Sequence, residues 1–294
     1  FKFTSHALFA LSVLGFSLAA CADDVTLKSN NITLNANLEK AADWPQRVIL
    51  MTHRTLAHNK MEIMSSLQSL LKQRGYSSLS INLSYSINNR ASAMLDCATP
   101  HKHKHTDALD EIGAWLRFLK QQGARDVTLL GHSRGGNQTA WFAAERDDAA
   151  VQRVVLVAPA TWNADSVTKS YQKTNGKALA PLVAKAAVQK SDTLLQHTDL
   201  LYCKDAQVSA SGFVSYYQAE PRFDTPVLLP KISKPVLVFA GSEDETVPDV
   251  AQKFGPLADG KKVQLKTITG ADHFFLDLYA TDVADAVAAF IGGK

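Results

Sequence analysis

The sequence predicts an α/β fold: a mostly parallel sheet with helices on both faces. Short apolar runs typical of buried strands alternate along the chain with segments whose apolar residues recur at helical spacing. No linker rich in Pro, Ser or Gly and no internal repeat divides the 294 residues. Because 46% of the residues are apolar and 20% are charged, the composition is ordinary for a globular protein and excludes a disordered or collagen-like chain.

The predicted elements follow each other in a regular order. Residues 25–27 and 32–36 alternate apolar and polar around Asn30-Asn31, which predicts an antiparallel hairpin. Further apolar or alternating runs predict strands at 48–52, 79–83, 127–130, 154–157, 236–240 and 263–268. Helical spacing predicts helices that end at Gly75 and Gly123, and a last helix through Val283, Val287, Phe290 and Ile291. In such sheets ligands bind at the carboxyl ends of the strands.

The charge balance argues against nucleic acid as a partner. The chain has 31 Lys and Arg against 28 Asp and Glu, a formal net charge of +3, whereas nucleic-acid-binding domains are usually strongly basic. The positive charge is locally concentrated, since residues 169–204 contain six Lys and two Asp. We therefore expect a small-molecule substrate and no nucleic-acid partner.

Residues 1–22 have the pattern of a secretory signal. An uncharged apolar run, 7–19, follows Lys2 and is too short to span a bilayer comfortably. The run Leu-Ala-Ala-Cys ending at Cys21 resembles a bacterial lipobox, in which Cys21 would be lipidated, although ordinary cleavage after Ala22 fits as well. Either route predicts an extracytoplasmic protein, most simply one of the bacterial periplasm. Lipidated Cys21 would tether it to the membrane, and simple cleavage would leave it soluble or secreted.

A Gly-x-Ser-x-Gly motif directly follows the predicted strand 127–130. It reads Gly-His-Ser-Arg-Gly over residues 131–135 and precedes a helix-compatible run from Asn137. In this strand-turn-helix context the motif is typical of a nucleophile elbow, in which the Ser backbone is strained and side chains in place of the glycines would collide with neighbours. The motif predicts Ser133 as the nucleophile, with His132 packed inside the elbow.

A serine hydroxyl needs a base to take its proton, and the base needs a carboxylate to orient it. Both follow in the expected chain order. Asp244 lies in a Gly-x-x-Asp-x-x-Val-Pro pattern after the strand 236–240, and His273 ends a Gly-x-x-His pattern after the strand 263–268. The acids that compete with Asp244 for this role are Glu243, Glu245 and Asp249.

With these motifs the chain from residue 47 to 291 resembles the α/β-hydrolase superfamily, and more narrowly an uncharacterised bacterial α/β-hydrolase family. The resemblance implies an α/β-hydrolase fold without a cofactor or a metal. It also implies that Ser133 is the nucleophile, that His273 is the general base and then the acid, and that Asp244 orients His273.

The oxyanion hole is expected to include the backbone N–H of Arg134 and one donor from the loop after the strand 48–52. That loop reads His53-Arg54-Thr55, and Arg54 stands where many α/β-hydrolases have Gly. The second donor is therefore the amide of either Thr55 or Arg54. Alternatively, the Arg54 side chain binds an acidic group of the substrate.

Five histidines are expected near the substrate rim. His53 and His132 belong to the loops just described, and His101, His103 and His105 alternate with lysines in a segment between a strand and a helix. The alternating segment is interpreted as a solvated basic loop or as a contact for an anionic substrate. A metal site is the third alternative, which the absence of nearby Cys, Asp or Glu disfavours.

Residues 162–223 are too long for a simple loop and predict a helical cap between the two core segments, 23–161 and 224–294. Once Cys21 is lipidated or removed, Cys97 and Cys203 are the thiols left in an oxidising compartment, which predicts a disulfide between them. Such a bond would fasten the cap to the core and restrict its opening.

These observations predict a serine hydrolase that acts on small or soluble carboxylic esters through an acyl-enzyme. An envelope peptidase, an acyltransferase or a thioesterase would use the same three residues. A catalytically silent binding lipoprotein is the alternative outside the enzymes.

Overall fold

A computed structural model describes residues 22–293, so the predicted lipidation site Cys21 and nearly all of the predicted signal segment lie outside the described residues. The strands are β1 (Asp23–Ser29), β2 (Ile32–Glu39), β3 (Arg47–Thr52), β4 (Ser77–Asn82), β5 (Asp126–His132), β6 (Val151–Val157), β7 (Leu194–Leu200), β8 (Cys203–Ser209), β9 (Val236–Gly241) and β10 (Val263–Ile268). The helices are α1 (Glu62–Gln73), α2 (Asp107–Gln122), α3 (Arg134–Glu145), α4 (Ala164–Asn175), α5 (Leu179–Ala187), α6 (Ala210–Tyr217), α7 (Thr225–Leu228), α8 (Val250–Phe254) and α9 (Leu278–Gly292). None of the helices in residues 22–293 is long and apolar enough to cross a membrane.

The central sheet of the described chain has eight strands in the order β1-β2-β4-β3-β5-β6-β9-β10. The pairs β1/β2 and β2/β4 are antiparallel, and the other neighbours are parallel. This confirms the predicted mostly parallel sheet and the predicted N-terminal hairpin. The hairpin turns at Asn30 and Asn31, whose φ angles of 47° and 64° are both positive, as a type I′ turn requires.

Alternate residues of the parallel strands face two separate hydrophobic cores. In β3, Val48 and Leu50 pack in the core that α2 and α3 cover, whereas Ile49 and Met51 pack in the core that α1 and α9 cover. Successive side chains of a strand point to opposite faces of the sheet. A strand buried on both faces of the sheet therefore needs an apolar residue at nearly every position. This is why continuous apolar runs in the sequence predict these strands well.

The strand β4 begins two residues earlier than the predicted strand 79–83. Its first residues, Ser77 and Ser78, are fully buried although they are polar. The Ser77 hydroxyl donates to Asp43 Oδ1 at 2.7 Å, so its burial leaves no donor unpaired. A pattern of hydrophobic residues cannot reveal this part of the strand.

The cap, residues 162–223, contains the predicted helices and also an antiparallel hairpin. Helices α4 and α5 come first, and β7 and β8 follow between α5 and α6 and form a two-stranded sheet of their own. The sequence pattern does not predict this hairpin.

Covalent and backbone bonds fasten the cap to the core. Cys97 and Cys203 form a disulfide with their Cα atoms 5.2 Å apart, which confirms the predicted pairing. Beside it, the His101 N–H donates to the Gln207 carbonyl and the Ser209 N–H donates to the His101 carbonyl, both at 2.8 Å. The segment around His101 thus pairs with the cap hairpin, and the cap is joined to the core at two neighbouring points.

Removing the disulfide by the double substitution Cys97→Ser and Cys203→Ser should lower the free energy of unfolding by about 2–5 kcal/mol, because the bond closes a long loop in the unfolded chain. Urea unfolding of the variant and of the wild type measures this difference. Wild-type protein treated with a reductant should approach the variant. If both thiols of the native, unreduced protein react with an alkylating reagent, the bond is absent and the prediction is wrong.

Candidate active site

Ser133 occupies a strained turn between β5 and α3. Its φ of 57° and ψ of −122° lie in a region that non-glycine residues rarely adopt and that is common at functional sites. The two glycines of the motif allow this turn. A Cβ atom at Gly135 would lie 2.3 Å from the His53 carbonyl oxygen, and one at Gly131 would lie 2.4 Å from the Gly135 carbonyl oxygen. The spacing of the motif is therefore a consequence of backbone contacts that leave no room for a side chain.

The structure brings Ser133, His273 and Asp244 together. His273 Nε2 lies 2.9 Å from Ser133 Oγ, and His273 Nδ1 lies 2.9 Å from Asp244 Oδ2. The three residues follow β5, β10 and β9, whose carboxyl ends meet at one edge of the sheet. Their exposed fractions are 7%, 4% and 4%, so the chain of hydrogen bonds lies largely out of contact with water.

Asp244 is held as a carboxylate. Burial acts to raise the pKa of Asp244, but hydrogen bonds from His273, Val247 and Thr246 outweigh burial, and its pKa is lowered. The N–H groups of Thr246 and Val247 both donate to Asp244 Oδ1 at 2.8 Å. Its other oxygen is therefore free to accept the hydrogen bond from His273 Nδ1.

The competing acids lie elsewhere. Asp249 accepts a hydrogen bond from the Thr161 hydroxyl at 2.6 Å and has Lys253 3.5 Å away. Glu243 and Glu245 are exposed. Of the four acids considered from the sequence, Asp244 is the one hydrogen-bonded to His273.

The loop after β3 lies against the first turn of α3. The contact of Gly135 with the His53 carbonyl sets this position, and Thr55 Oγ1 accepts a hydrogen bond from Arg134 Nε at 3.2 Å. The Arg54 guanidinium lies over the ring of Phe274, 5.1 Å from its centroid. Of the three residues considered for the oxyanion hole, Arg134 is therefore part of the elbow, and Arg54 and Thr55 belong to the loop that packs against it.

The five histidines expected near the substrate rim are all buried, so the interpretation of residues 101–105 as a fully solvated loop is wrong for its histidines. Each is at most 1% exposed, and the set is His53, His101, His103, His105 and His132. In the alternating segment the side chains of Lys102 and Lys104 point to solvent. An extended segment sends successive side chains to opposite sides, so the alternation seen in the sequence separates a buried histidine face from an exposed lysine face.

The buried histidines of the alternating segment connect the core to the cap. His101 Nδ1 lies 3.2 Å from His103 Nε2, and His103 Nδ1 lies 2.8 Å from the Tyr216 hydroxyl of α6. His105 Nε2 contacts Asn137 Oδ1 of α3 at 3.0 Å. Within residues 22–293 no group of three or more His, Cys, Asp or Glu side chains could hold a metal ion. These imidazoles thus make contacts within the protein.

His53 and His132 position backbone groups of the site. The Leu83 N–H donates to His53 Nε2 at 3.1 Å, so His53 Nδ1 carries the proton that it donates to the Arg54 carbonyl at 2.9 Å. His132 Nε2 donates to the His273 carbonyl at 2.8 Å. Because burial is the main cause that lowers the pKa of both histidines to about 3, they are neutral at physiological pH.

A mostly parallel sheet with a nucleophile elbow at this edge is the architecture of the α/β-hydrolases, and the chain is one of them. Residues 98–277, which include Ser133, Asp244 and His273, match the family described as serine aminopeptidase, S33, and the chain belongs to that family. No curated protein matches the sequence.

Solved structures of several hydrolases share the fold. Est1E from Butyrivibrio proteoclasticus is 19% identical with a TM-score of 0.63, and the match covers 92% of this chain and 98% of Est1E. A monoacylglycerol lipase from Paleococcus ferrophilus is 16% identical with a TM-score of 0.62, covering 88% and 98%. The esterase Pf2001 from Pyrococcus furiosus is 14% identical with a TM-score of 0.60, covering 92% of each chain. At these identities the likeness concerns the fold.

The buried histidines should make the protein sensitive to acid. Burial lowers the pKa of His53, His103, His105 and His132 from 6.5 to about 3. Between these pH values the unfolded chain binds protons that the folded protein does not, so the free energy of unfolding falls as the pH is lowered, by up to about 1.4 kcal/mol per pH unit for each histidine. Glu111 has the opposite effect, because burial raises its pKa to about 7. Its contribution to the free energy of unfolding is lost as the pH rises from about 4.5 to about 7.

Urea unfolding between about pH 7 and about pH 5 measures this slope. The substitution His105→Gln should make it shallower by up to about 1.4 kcal/mol per pH unit. The control His197→Gln changes a histidine whose side chain is 84% exposed and lies 2.7 Å from Asp205, and, because this imidazole is not buried, its loss should not make the slope shallower. Equal slopes in wild type and His105→Gln would contradict the prediction.

Proposed function

We propose that this protein is a serine hydrolase that cleaves small or soluble carboxylic esters through an acyl-enzyme. The observation that carries the proposal is the pair of 2.9 Å contacts that joins Ser133, His273 and Asp244. Ser133 Oγ attacks the ester carbonyl while His273 Nε2 accepts its proton. His273 then donates that proton to the leaving alcohol, and the acyl group remains on Ser133.

Asp244 controls the tautomer of His273. Its charged Oδ2 accepts a hydrogen bond from the Nδ1–H of His273, which leaves the lone pair of Nε2 directed at Ser133. The same carboxylate stabilises the imidazolium that forms during the attack. His132 supports this arrangement as a positioning residue, because it binds the His273 carbonyl.

The start of α3 stabilises the negative charge that develops on the carbonyl oxygen. The Arg134 N–H and one N–H from Arg54 or Thr55 are the proposed donors, and the removal of one such donor typically costs about 10²–10³ in kcat. In the second half of the reaction His273 activates a water molecule, which attacks the acyl-enzyme and releases the acid.

The fixed cap supports a small or soluble substrate. The Cys97–Cys203 disulfide and the backbone bonds at His101 restrain the cap beside the site, which opposes the wide opening that a bulky lipid aggregate would require. Pf2001, named above, is an esterase. Since the family carries the description of a serine aminopeptidase, amide cleavage is the second candidate. A panel of esters of graded acyl length, assayed beside peptides and thioesters, separates these activities.

We also propose an extracytoplasmic location with a membrane tether at Cys21. A structural disulfide persists in oxidising compartments, so the Cys97–Cys203 bond supports this part of the proposal. Mass analysis of the protein from its native membrane fraction tests it, since a lipidated Cys21 adds the mass of the acyl chains to the mature N-terminus.

A fluorophosphonate probe should label the purified protein, because the probe reacts with a serine activated by a base. The substitution Ser133→Ala should abolish labelling, measured by gel fluorescence or mass spectrometry. The control Ser69→Ala removes an exposed hydroxyl of α1 and should be labelled like the wild type. Labelling that persists in Ser133→Ala would show that another residue is the nucleophile.

The substitution Asp244→Asn should lower kcat on a reactive ester by about 10³–10⁴, since the neutral amide favours the wrong tautomer of His273. Steady-state kinetics measures the change. Glu243→Gln alters a neighbouring exposed acid and should keep kcat near the wild-type value. An unchanged kcat in Asp244→Asn, or a large loss in Glu243→Gln, would move the orienting role away from Asp244.

A further inference from the structure

Three arginines, Arg54, Arg90 and Arg134, lie near the elbow, and the guanidinium groups of Arg90 and Arg134 are hydrogen-bonded within the protein. The Arg90 guanidinium donates to the carbonyls of Leu83, Ala93 and Ala57 at 2.7–2.8 Å and also to the side chain of Asn82. These bonds use the guanidinium to tie loops together. Arg90 is therefore a structural residue.

Arg134 is also held in place. Its Nε donates to Thr55 Oγ1 at 3.2 Å, and its guanidinium lies over the ring of Tyr216, 5.5 Å from the centroid. One terminal nitrogen lies 3.4 Å from His105 Nδ1. The side chain thus points toward the buried histidines and the cap.

Arg54 differs from both. Its Nε is buried and has no hydrogen-bond partner, and within residues 22–293 its guanidinium is in no ion pair. Its described contact is the face of Phe274, 5.1 Å away. A buried N–H of a charged group without an acceptor costs free energy. The protein therefore satisfies the guanidinium of Arg54 less completely than those of Arg90 and Arg134.

The position of Arg54 places its charge beside the reacting groups. Arg54 follows His53, whose carbonyl touches the turn that carries Ser133, and Phe274 follows His273. Arg54 and Phe274 are partly exposed, whereas Ser133 and His273 lie beneath the surface. A ligand that reaches Ser133 from solvent can therefore contact the guanidinium.

Among residues 22–293, the titratable groups that the charge of Arg54 affects are three histidines and a tyrosine. Its positive charge contributes to lowering the pKa of His53, His58 and His132, which are neutral or cationic groups, and Tyr202 is a further neighbour. Asp244 is already engaged with His273, Thr246 and Val247. The Asp272 carboxylate near Arg54 accepts from the Phe274 N–H at 2.8 Å, and no ion pair with Arg54 is formed within residues 22–293, so the guanidinium charge is available to an anionic ligand and would repel an ammonium group.

We propose that Arg54 is a specificity-determining residue that binds a carboxylate of the substrate, so that the preferred substrates are esters carrying a free carboxylate near the scissile bond. The planar guanidinium of the partly exposed Arg54 matches a carboxylate in a two-bond geometry. This inference rests on the proposed ester hydrolysis at Ser133. It also argues against an aminopeptidase substrate, whose α-ammonium group would meet a like charge.

The test compares two p-nitrophenyl esters, the monoester of glutaric acid and the ester of valeric acid, which has the same chain with a methyl in place of the carboxylate. The measured quantity is the ratio of their kcat/KM values, because general damage to the site cancels in a ratio. Wild-type protein should prefer the glutarate ester. The substitution Arg54→Gln should lower the ratio by about 10- to 100-fold, the range of one charge-assisted hydrogen bond.

Two further variants sharpen the test. Arg54→Lys should give an intermediate ratio, because it keeps the charge and loses the planar fork. Arg125→Gln changes an exposed arginine at the far end of the sheet, before β5, and should keep the wild-type ratio. If Arg54→Gln fails to fold, competition in the wild type replaces it: glutarate should inhibit hydrolysis of the valerate ester, and the neutral glutaramide should not.

The outcomes separate this inference from the proposed function. If the wild-type protein hydrolyses neither ester, the proposed ester hydrolysis is itself wrong. Hydrolysis of the valerate ester that depends on Ser133, with the same ratio in wild type and Arg54→Gln, would leave the hydrolase standing and overturn the role of Arg54. A ratio that falls in Arg134→Gln and not in Arg54→Gln would do the same.

Discussion

The contact between the Gly135 backbone and the His53 carbonyl is the constraint on which the site depends. It brings the loop after β3 against the first turn of α3, at the point where Ser133 adopts its positive φ. The turn is also held by the Ser133 N–H, which donates to the Val157 carbonyl at 2.9 Å, and by the Ser133 carbonyl, which accepts from the Ala160 N–H at 3.0 Å. One close approach thus sets the nucleophile, both candidate sources of oxyanion donors and the location of Arg54.

A second set of contacts joins this site to the cap. His101, His103 and His105 face inward because their segment runs beside β8, and they reach Tyr216 of the cap and Asn137 of α3. Neutral imidazoles can both donate and accept hydrogen bonds, which suits a buried layer between two units. The disulfide lies at the start of the same segment, so the covalent bond and the histidine layer stabilise one position of the cap.

The charges beside Ser133 are arranged with different consequences. Arg90 and Arg134 donate hydrogen bonds to acceptors of the protein, whereas the buried Nε of Arg54 has no hydrogen-bond partner. An active site that is largely closed to water strengthens such charges, since screening by solvent is reduced. On the proposals made above, substrate choice is expected to depend on one side chain in the loop after β3, and bond breaking on the hydrogen bonds that join Ser133, His273 and Asp244.

The sequence by itself determined the parallel sheet, the elbow at Ser133 and the order of the motifs that contain Asp244 and His273. These features depend on local backbone geometry, strand burial and chain order, which leave fixed residue types at fixed spacings. The Cys97–Cys203 pair also followed from the sequence, because the compartment expected from the signal segment left two thiols to join.

Only the tertiary structure decided the burial of the five histidines, the hairpin in the cap and the different partners of Arg54 and Arg134. The backbone of His101 pairs with that of Gln207 and Ser209 in β8, about a hundred residues further along the chain. The pattern of residues 101–105 does not show which face of this segment the cap will cover. Likewise, the sequence does not show which arginine finds hydrogen-bond acceptors within the protein and which does not. The physical reason is that burial and hydrogen-bond partners arise from segments that meet only after folding.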